Sequence, residues 1–516
     1  MTLRIAPIAP RIAPIALCAP IALCAGLLAT GPALPQATIG GEWRDDVEGF
    51  AGRVVEAGLA PGMAVAVSQG EWVLYTAGFG VGDATSGRPA SADSAFYVAS
   101  STKALTATAI VLMAARGEID LGAPITRYLP GLELRAPLDA DAITIEQLLT
   151  MTDGIEQAGP VVVRTAYTGE FTPEILVELL ADYGPSKTGT AFAYRNLPYN
   201  ILGLALDPHD GHGWKEVVRR EVLEPLGMES TSARLSALDA EHVALPHGLV
   251  PGEGWQRIPL AKADANLHAA GGHFTTARDL VRFVAAHASH GRVEGESVFP
   301  AAPIASMHEP RVAQDRDFGP FERNAWGYGW DVAAWQGRTI VQRFGAFSGY
   351  RSHMSFEPAT RIGVVVLTNG GGIASPAADL VATYVYDRLA NRADSEPEYD
   401  RRLAELLAER KEYEARMAGH LAERAARLAP LSHPLEHFAG TYESPRTGRI
   451  VWQVIAGGLE ARAGIAGSRA EVYDAASDAL RIEIGGGVVA DFEFPEGGGP
   501  ATAVVIEGER YERVAR

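Results

Sequence analysis

Ser100, Ser101, Thr102 and Lys103 set a hydroxyl and an amine three residues apart. A serine hydroxyl is a weak nucleophile until a base takes its proton. Residues three apart share one face of a helix, so a lysine at this spacing can be that base. Of the five lysines, Lys103, Lys187, Lys215, Lys262 and Lys411, only Lys103 has a serine three positions before it. The competing reading is a serine capping a helix, followed by a surface lysine.

Tyr194-Arg195-Asn196 is a second candidate, and no other tyrosine has asparagine two positions later. A phenolate beside an ammonium can accept a proton, because the positive charge favours the ionised phenol. The Asn196 amide can orient a carbonyl or an amine. The alternative is a turn with a half-buried tyrosine. A third candidate is the run Arg343-Phe344-Gly345-Ala346-Phe347-Ser348-Gly349-Tyr350. A strand with small residues lets a substrate approach the backbone, here at Gly345 and Ala346. The amides of Ala346 and Ser100 would then form an oxyanion hole. Arg343 would offer a fixed charge to a carboxylate. An ordinary strand end with an exposed arginine is the competing reading.

In this order, Ser-x-x-Lys, Tyr-x-Asn and a basic residue with glycine two places on, the three elements resemble the penicillin-recognising serine hydrolases. That family includes class C-like serine β-lactamases, D-Ala-D-Ala peptidases and related esterases. The resemblance spans about Trp43 to Leu389. Leu148-Leu149-Thr150-Met151-Thr152-Asp153-Gly154 is similar to the family's Leu-Leu-Thr-His-Thr-Ser-Gly stretch, with Met151 where relatives often carry histidine. Pro225-Leu226-Gly227-Met228 also looks like a family turn, and the run from Gly271-Gly272 through Thr275, Thr276 and Asp279 is similar to the family's Gly-Gly-x-x-Ser-Thr-x-x-Asp helix start. Lys187-Thr188-Gly189 looks like the third motif but precedes Tyr194, and is read as the turn before the Tyr-x-Asn loop. The third motif proper has Arg343 where the family carries Lys, His or Trp.

The chain of 516 residues carries a formal net charge of −18, which argues against nucleic acid or an anionic membrane as its partner. Only Cys18 and Cys24 occur, both in an N-terminal stretch with Arg4, Arg11 and an apolar run from Ile12 to Ala29. This reads as a signal peptide over 1–37 and an exported, periplasmic or secreted protein. Pro14 and Pro20 argue against a retained membrane anchor. Leu17 and Leu23 before the cysteines argue against lipid attachment. Removal of the signal leaves no thiol, so covalent catalysis must use oxygen or nitrogen.

Met63–Ser68 and Trp72–Ala77 flank Gln69-Gly70 and read as a hairpin. Strands are expected at Trp326–Val332, Thr339–Arg343, Tyr350–Phe356 and Ile362–Leu367, with a helix over Pro376–Leu389. The middle, Lys103 to His287, has a mostly helical pattern. Strands from both ends can share one antiparallel sheet covered by helices. Leu403, Leu406, Tyr413, Met417, Leu421 and Leu428 recur among charged residues as in an amphipathic helix. Short apolar runs at Ile450–Ile455, Leu480–Ile484, Val488–Phe494 and Ala503–Ile506 suggest a small β domain. His209 and His212, among Asp207 and Asp210, could hold a metal, though a polar connection between helices is the simpler reading.

The resulting expectation is an α/β protein of the α+β type. It has an antiparallel sheet flanked by helices, a helical subdomain and a C-terminal antiparallel β domain. The segments are a signal (1–37), the hydrolase domain (40–392), a linker helix (393–432) and the β domain (433–516). The resemblance implies a serine hydrolase with Ser100, Lys103 and Tyr194 as catalytic residues. Asn196, Arg343, Gly345 and Ala346 would bind the substrate. It implies a peptide or small-molecule substrate, with no metal or cofactor. A carboxylate-bearing amide is the expected substrate, and an esterase or a catalytically silent binding protein the alternatives.

Overall fold

A computed structural model describes residues 42–156, 159–210, 213–390, 392, 395–427 and 430–515. The expected signal segment with Cys18 and Cys24 lies outside the described residues. So do His212 and the side chains of Asp207, His209 and Asp210.

The frame is a nine-stranded antiparallel sheet. Its order is Val312–Phe318, Phe321–Trp326, Asp331–Trp335, Arg338–Phe347, Tyr350–Glu357, Ile362–Thr368, Gly62–Gln69, Trp72–Asp83 and Arg88–Pro89. The early hairpin joins the late strands through the pairing of Met63 to Gln69 with Thr368 to Ile362. Early and late strands therefore form one sheet, as the sequence suggests. The central strand Ile362–Thr368 is buried along its whole length. That burial on both faces is why it reads as an unbroken apolar run rather than an alternating one.

Strand alternation sorts the helices onto the two faces. A Cβ at Gly363 would meet Val284 of the Ala277–Ala288 helix at 2.6 Å. On the neighbouring strand, His353 and Ser355 point the other way, to Asp379 and Tyr386 of the Ala374–Leu389 helix. The Thr102–Ala115 helix is buried on every side from Thr102 to Met113. A helix apolar all round must lie inside the protein, and this one is wedged into the main core.

Trp326–Val332 is not one strand. Trp326 ends one strand and Asp331 begins the next. Alternating aromatic and glycine residues imitate the period of a strand, but the glycines serve a turn. A Cβ at Gly327 would lie 2.2 Å from the Met307 carbonyl, and Gly329 has φ of +82°. The turn buries both Trp326 and Trp330.

The Glu396–Ala426 helix leads to a second nine-stranded antiparallel sheet, from Gly440–Ser444 to Glu509–Val514. Phe438, Tyr442, Trp452, Phe492 and Tyr511 centre its core. Five of its strands, among them Gly458–Ala463 and Ala466–Arg469, have too many small and charged residues to stand out in sequence. Two of its turns grip the segment 164–170. Buried Arg164 donates to the carbonyls of Arg446 at 2.8 Å and Pro445 at 3.2 Å, and the Ile465 N–H donates to Thr168 O at 2.9 Å. Gly464 is required there, since a Cβ would fall 2.1 Å from Thr168 O.

Hydrogen bonds from a charged donor are worth roughly 1.5–3 kcal/mol each. Arg164→Met should therefore loosen the C-terminal sheet first. Limited proteolysis in mild urea should cut the variant between the two sheets at denaturant levels that leave the wild type intact. Equal resistance would mean that the Arg164 contacts contribute no docking energy.

Candidate active site

The chain reaches Ser100 through a backbone that L-residues rarely adopt. Ala99 has φ of +44°, in the left-handed region. Such strain persists only where surroundings over-determine it. Here they do. The Val98 N–H bonds His273 O at 3.0 Å, and the Tyr97 hydroxyl donates to Gly271 O. Thr102 Oγ1 accepts from the N–H groups of Gly272 and His273, each at 3.0 Å, and Ser101 Oγ lies 2.9 Å from Ser352 Oγ. The Gly271-Gly272 pair lets that loop approach: a Cβ at Gly272 would meet His268 backbone at 2.5 Å. Ser100 emerges partly exposed in the 3-10 turn that opens the Thr102–Ala115 helix.

Lys103, one turn on, is wholly buried. Its three donors have three acceptors: Ser100 Oγ at 3.2 Å, Asn196 Oδ1 at 2.6 Å and the Ala270 carbonyl at 2.7 Å. Its Nζ also stands 5.1 Å from the centre of the Tyr194 ring. Tyr194 and Asn196 lead into the Leu197–Asp210 helix. Behind them Asp153 holds Arg195 in a buried ion pair of 2.9 Å. Met151 packs there too, fully buried, with its sulfur 3.3 Å from the Arg195 N–H. Lys187 is exposed on a turn ahead of this loop, as expected.

The Arg338–Phe347 strand closes the site. A Cβ at Gly345 would lie 1.9 Å from Val98 O, so glycine is needed for the strand to pass the Ser100 turn. Phe347 pairs with Tyr350 across a two-residue turn, and Asp331 pairs with Gln342 on the other edge. Paired residues of an antiparallel ladder alternate between bonded and non-bonded sites. Ala346, one step from the hairpin-closing pair, therefore aims its N–H away from Tyr350–Glu357, toward the edge that Asp331–Trp335 has already left. Ala346 is exposed, and the Ser100 N–H lies in a first helical turn without an intrahelical acceptor.

A family model described as Beta-lactamase matches residues 51–385. The chain belongs to the beta-lactamase family. It is 29% identical over 328 residues to penicillin-binding protein 4 of Amycolatopsis lactamdurans, covering 62% of this chain and 84% of that protein. Among solved structures it resembles the D-amino acid amidase of Ochrobactrum anthropi SV3, with a TM-score of 0.59 and 20% identity over 68% of this chain and 99% of that one. It also resembles the octameric penicillin-binding protein homologue of Pyrococcus abyssi, with a TM-score of 0.56 and 20% identity over 91% of this chain and 99% of that one. These likenesses establish the fold, and the family makes the protein a hydrolase.

Arg343 does not face the cleft of this beta-lactamase-family hydrolase as the sequence suggests. Its side chain is completely buried. One guanidinium nitrogen pairs with Asp331 at 2.7 Å, another donates to the Tyr194 hydroxyl, and Nε points at Ser100 O at 3.3 Å. With all three nitrogens engaged, it has no open face for a carboxylate and instead acts on Tyr194. Burial opposes ionisation of the Tyr194 phenol, but the Arg343 and Lys103 charges outweigh it and hold the pKa below the ordinary value. Burial pushes the Lys103 ammonium down to about 8, with Tyr194 opposing and Arg343 adding to the shift. Two groups that are ordinarily protonated at neutral pH are thus both brought towards their basic forms.

Sequence reasoning missed Asp331 and the Ala270 carbonyl. Asp331 sits in the aromatic-glycine run read as one strand, where nothing marks it as a counter-ion. Another Ser-His-Asp array exists: His353 Nδ1 lies 2.9 Å from Asp379 and Nε2 lies 2.7 Å from Ser355 Oγ. All three side chains are buried, and Ser355 also meets the Tyr386 hydroxyl at 2.8 Å. The array ties the sheet to its helix and has no opening to a substrate.

Two outcomes follow from this geometry. The rate of Ser100 modification by a fluorophosphonate should climb with pH through a midpoint near 8, where half of a lysine with this depressed pKa is in its base form. A midpoint near the ordinary lysine value of about 10.4 would contradict a tuned pair. Gly345→Ala should destabilise by about 1–3 kcal/mol through overpacking and slow that modification, read by thermal unfolding and labelling rate. A variant matching wild type in both would show that the strand can move aside freely.

Proposed function

We propose that the protein is a serine hydrolase that forms an acyl-enzyme on Ser100, acting on a carboxylate-bearing amide such as a peptide or β-lactam. The observation that carries this reading is the 3.2 Å contact between Lys103 Nζ and Ser100 Oγ, with the Tyr194 ring beside the same amine. The amide preference draws support from two relatives, one named a penicillin-binding protein and one a D-amino acid amidase. The N-terminal sequence pattern supports export.

Ser100 gives its proton to the Lys103–Tyr194 pair and attacks the substrate carbonyl carbon. The oxyanion that forms is met by the N–H groups of Ser100 and Ala346. As the tetrahedral intermediate collapses, its bond to the leaving nitrogen breaks, and the pair returns the proton to that nitrogen. Water, deprotonated by the same pair, then attacks the acyl carbon; the bond to Ser100 Oγ breaks, the pair returns the proton to Oγ, and the acid is freed. Asn196 holds Lys103 through its oxygen, and its amide nitrogen orients the substrate carbonyl. Arg343 keeps Tyr194 acidic enough to take part. These steps use only groups of the chain.

Intact-mass analysis after exposure to a penicillin and, separately, to a fluorophosphonate tests the proposal. Both should add to the wild type and neither to Ser100→Ala, and intact penicillin should be followed in case turnover hides the adduct. Lys103→Ala should slow labelling by roughly 10²–10⁴-fold, the contribution expected of a general base. A fluorophosphonate adduct with no penicillin reaction would shift the reading to an esterase. An adduct that survives Ser100→Ala would overturn the nucleophile assignment.

A further inference from the structure

The burial of Arg343 leaves an anionic substrate without its expected partner, and the outer strands supply another cation. Arg316, half-buried on the Val312–Phe318 strand, places its guanidinium carbon 5.3 Å from the centre of the Tyr194 ring. The same ring has Lys103 Nζ at 5.1 Å and the Arg343 guanidinium carbon at 4.9 Å. Arg343 is already paired with Asp331, and Lys103 is enclosed by neutral oxygens. Among the described residues no carboxylate lies within ion-pairing distance of Arg316.

The buried side chains around it are also mostly cationic. Arg316 pairs across the strands with Arg323, which is 1% exposed and has no hydrogen-bond partner on any guanidinium nitrogen. Arg323 stands 4.1 Å from both the Phe318 and the Phe344 ring centres. Arg351, 3% exposed, packs on the same two rings, with Asp379 at 3.9 Å as its nearest carboxylate. Four guanidinium groups thus share this corner with only Asp331 and Asp379 as paired carboxylates. Burial and the charges of Arg343, Arg316 and Arg351 push Arg323 down to about 10, against the pull of Asp331. Burying unpaired charge is costly, and strongly perturbed groups beside a cleft mark a candidate functional site. A cavity of about 470 Å³, lined entirely by the 315–324 hairpin, borders Arg316, Arg323 and Asn324. Asp315, Asp317 and Glu322 also border it but are exposed, so water screens them.

We infer that Arg316 is the specificity-determining residue that receives an anionic group of the substrate beside Tyr194, with Arg323 and Arg351 supplying positive potential behind it. The inference rests on the serine-hydrolase reading of Ser100 and names the residue that selects its substrates. Arg316 offers the planar fork that binds a carboxylate through two hydrogen bonds. One charged hydrogen bond is worth roughly 1.5–3 kcal/mol, or on the order of 10- to 100-fold in affinity.

Two boronic acids that form tetrahedral adducts with a serine, phenylboronic acid and 3-carboxyphenylboronic acid, separate this role from catalysis. Their inhibition of fluorophosphonate labelling should be measured for wild type, Arg316→Gln and Arg316→Lys. The wild type should prefer the carboxylated compound by at least tenfold, and high salt should reduce the preference. Arg316→Gln should lose it while binding phenylboronic acid within about twofold of wild type, and Arg316→Lys should keep part of it. A preference that persists in Arg316→Gln, or one absent from the wild type, would overturn the inference while leaving Ser100 labelling intact. Failure of Ser100 itself to label would instead bring down the serine reading, and this inference with it.

Discussion

Lys103 is a buried ammonium whose three protons all point at neutral oxygens. Taking a charge out of water costs several kcal/mol even after relaxation, and no carboxylate among the described residues pairs with it to offset that cost. The site therefore depends on three segments arriving together: the Ser100 turn, the Tyr194-Asn196 loop and the loop that ends in Ala270. Each supplies one acceptor. The same cost holds the ammonium's pKa down to about 8, which makes its base form more accessible.

Arg343 and Asp331 extend the same logic outward. Their ion pair is buried and geometrically close at 2.7 Å, and it sets a fixed positive charge behind the Tyr194 hydroxyl. Two cations facing one phenol lower its pKa more than burial raises it. A charge used in this way is no longer open to a substrate. The residue type at position 343 pointed correctly to a cation in the site, but its direction depended on Asp331, which sequence did not link to it.

The C-terminal sheet reaches the same centre through polar contacts. Arg164 and Thr168 are held by its turns, and Thr165 between them accepts from Asn200 Nδ2 at 3.4 Å. Asn200 Oδ1 in turn takes the Ala270 N–H at 3.4 Å, and Ala270 O receives Lys103. In the same segment, Tyr167 packs 5.4 Å from Phe347, next to Ala346. The second sheet is thus continuous with the wall of the site, a link that short apolar runs after Phe438 could not reveal.

The spacing of Ser100 and Lys103, the Tyr-x-Asn pattern and the glycine after Arg343 marked the candidate site only as an ordered set that resembles a family, although local geometry accounts for the first and the last. A helix brings residues three apart together, and only glycine clears Val98 O at Gly345. Apolar periodicity was likewise enough for the inner strands of the main sheet and its covering helix, since burial on both faces leaves a continuous trace in the chain, but not for the outer strands Val312–Phe318 and Phe321–Trp326. Tertiary structure alone decided where the charges point. Tyr194, against Arg343, and Asn196 and Ala270, against Lys103, lie far away in sequence, and which segments meet in space is something no local pattern encodes.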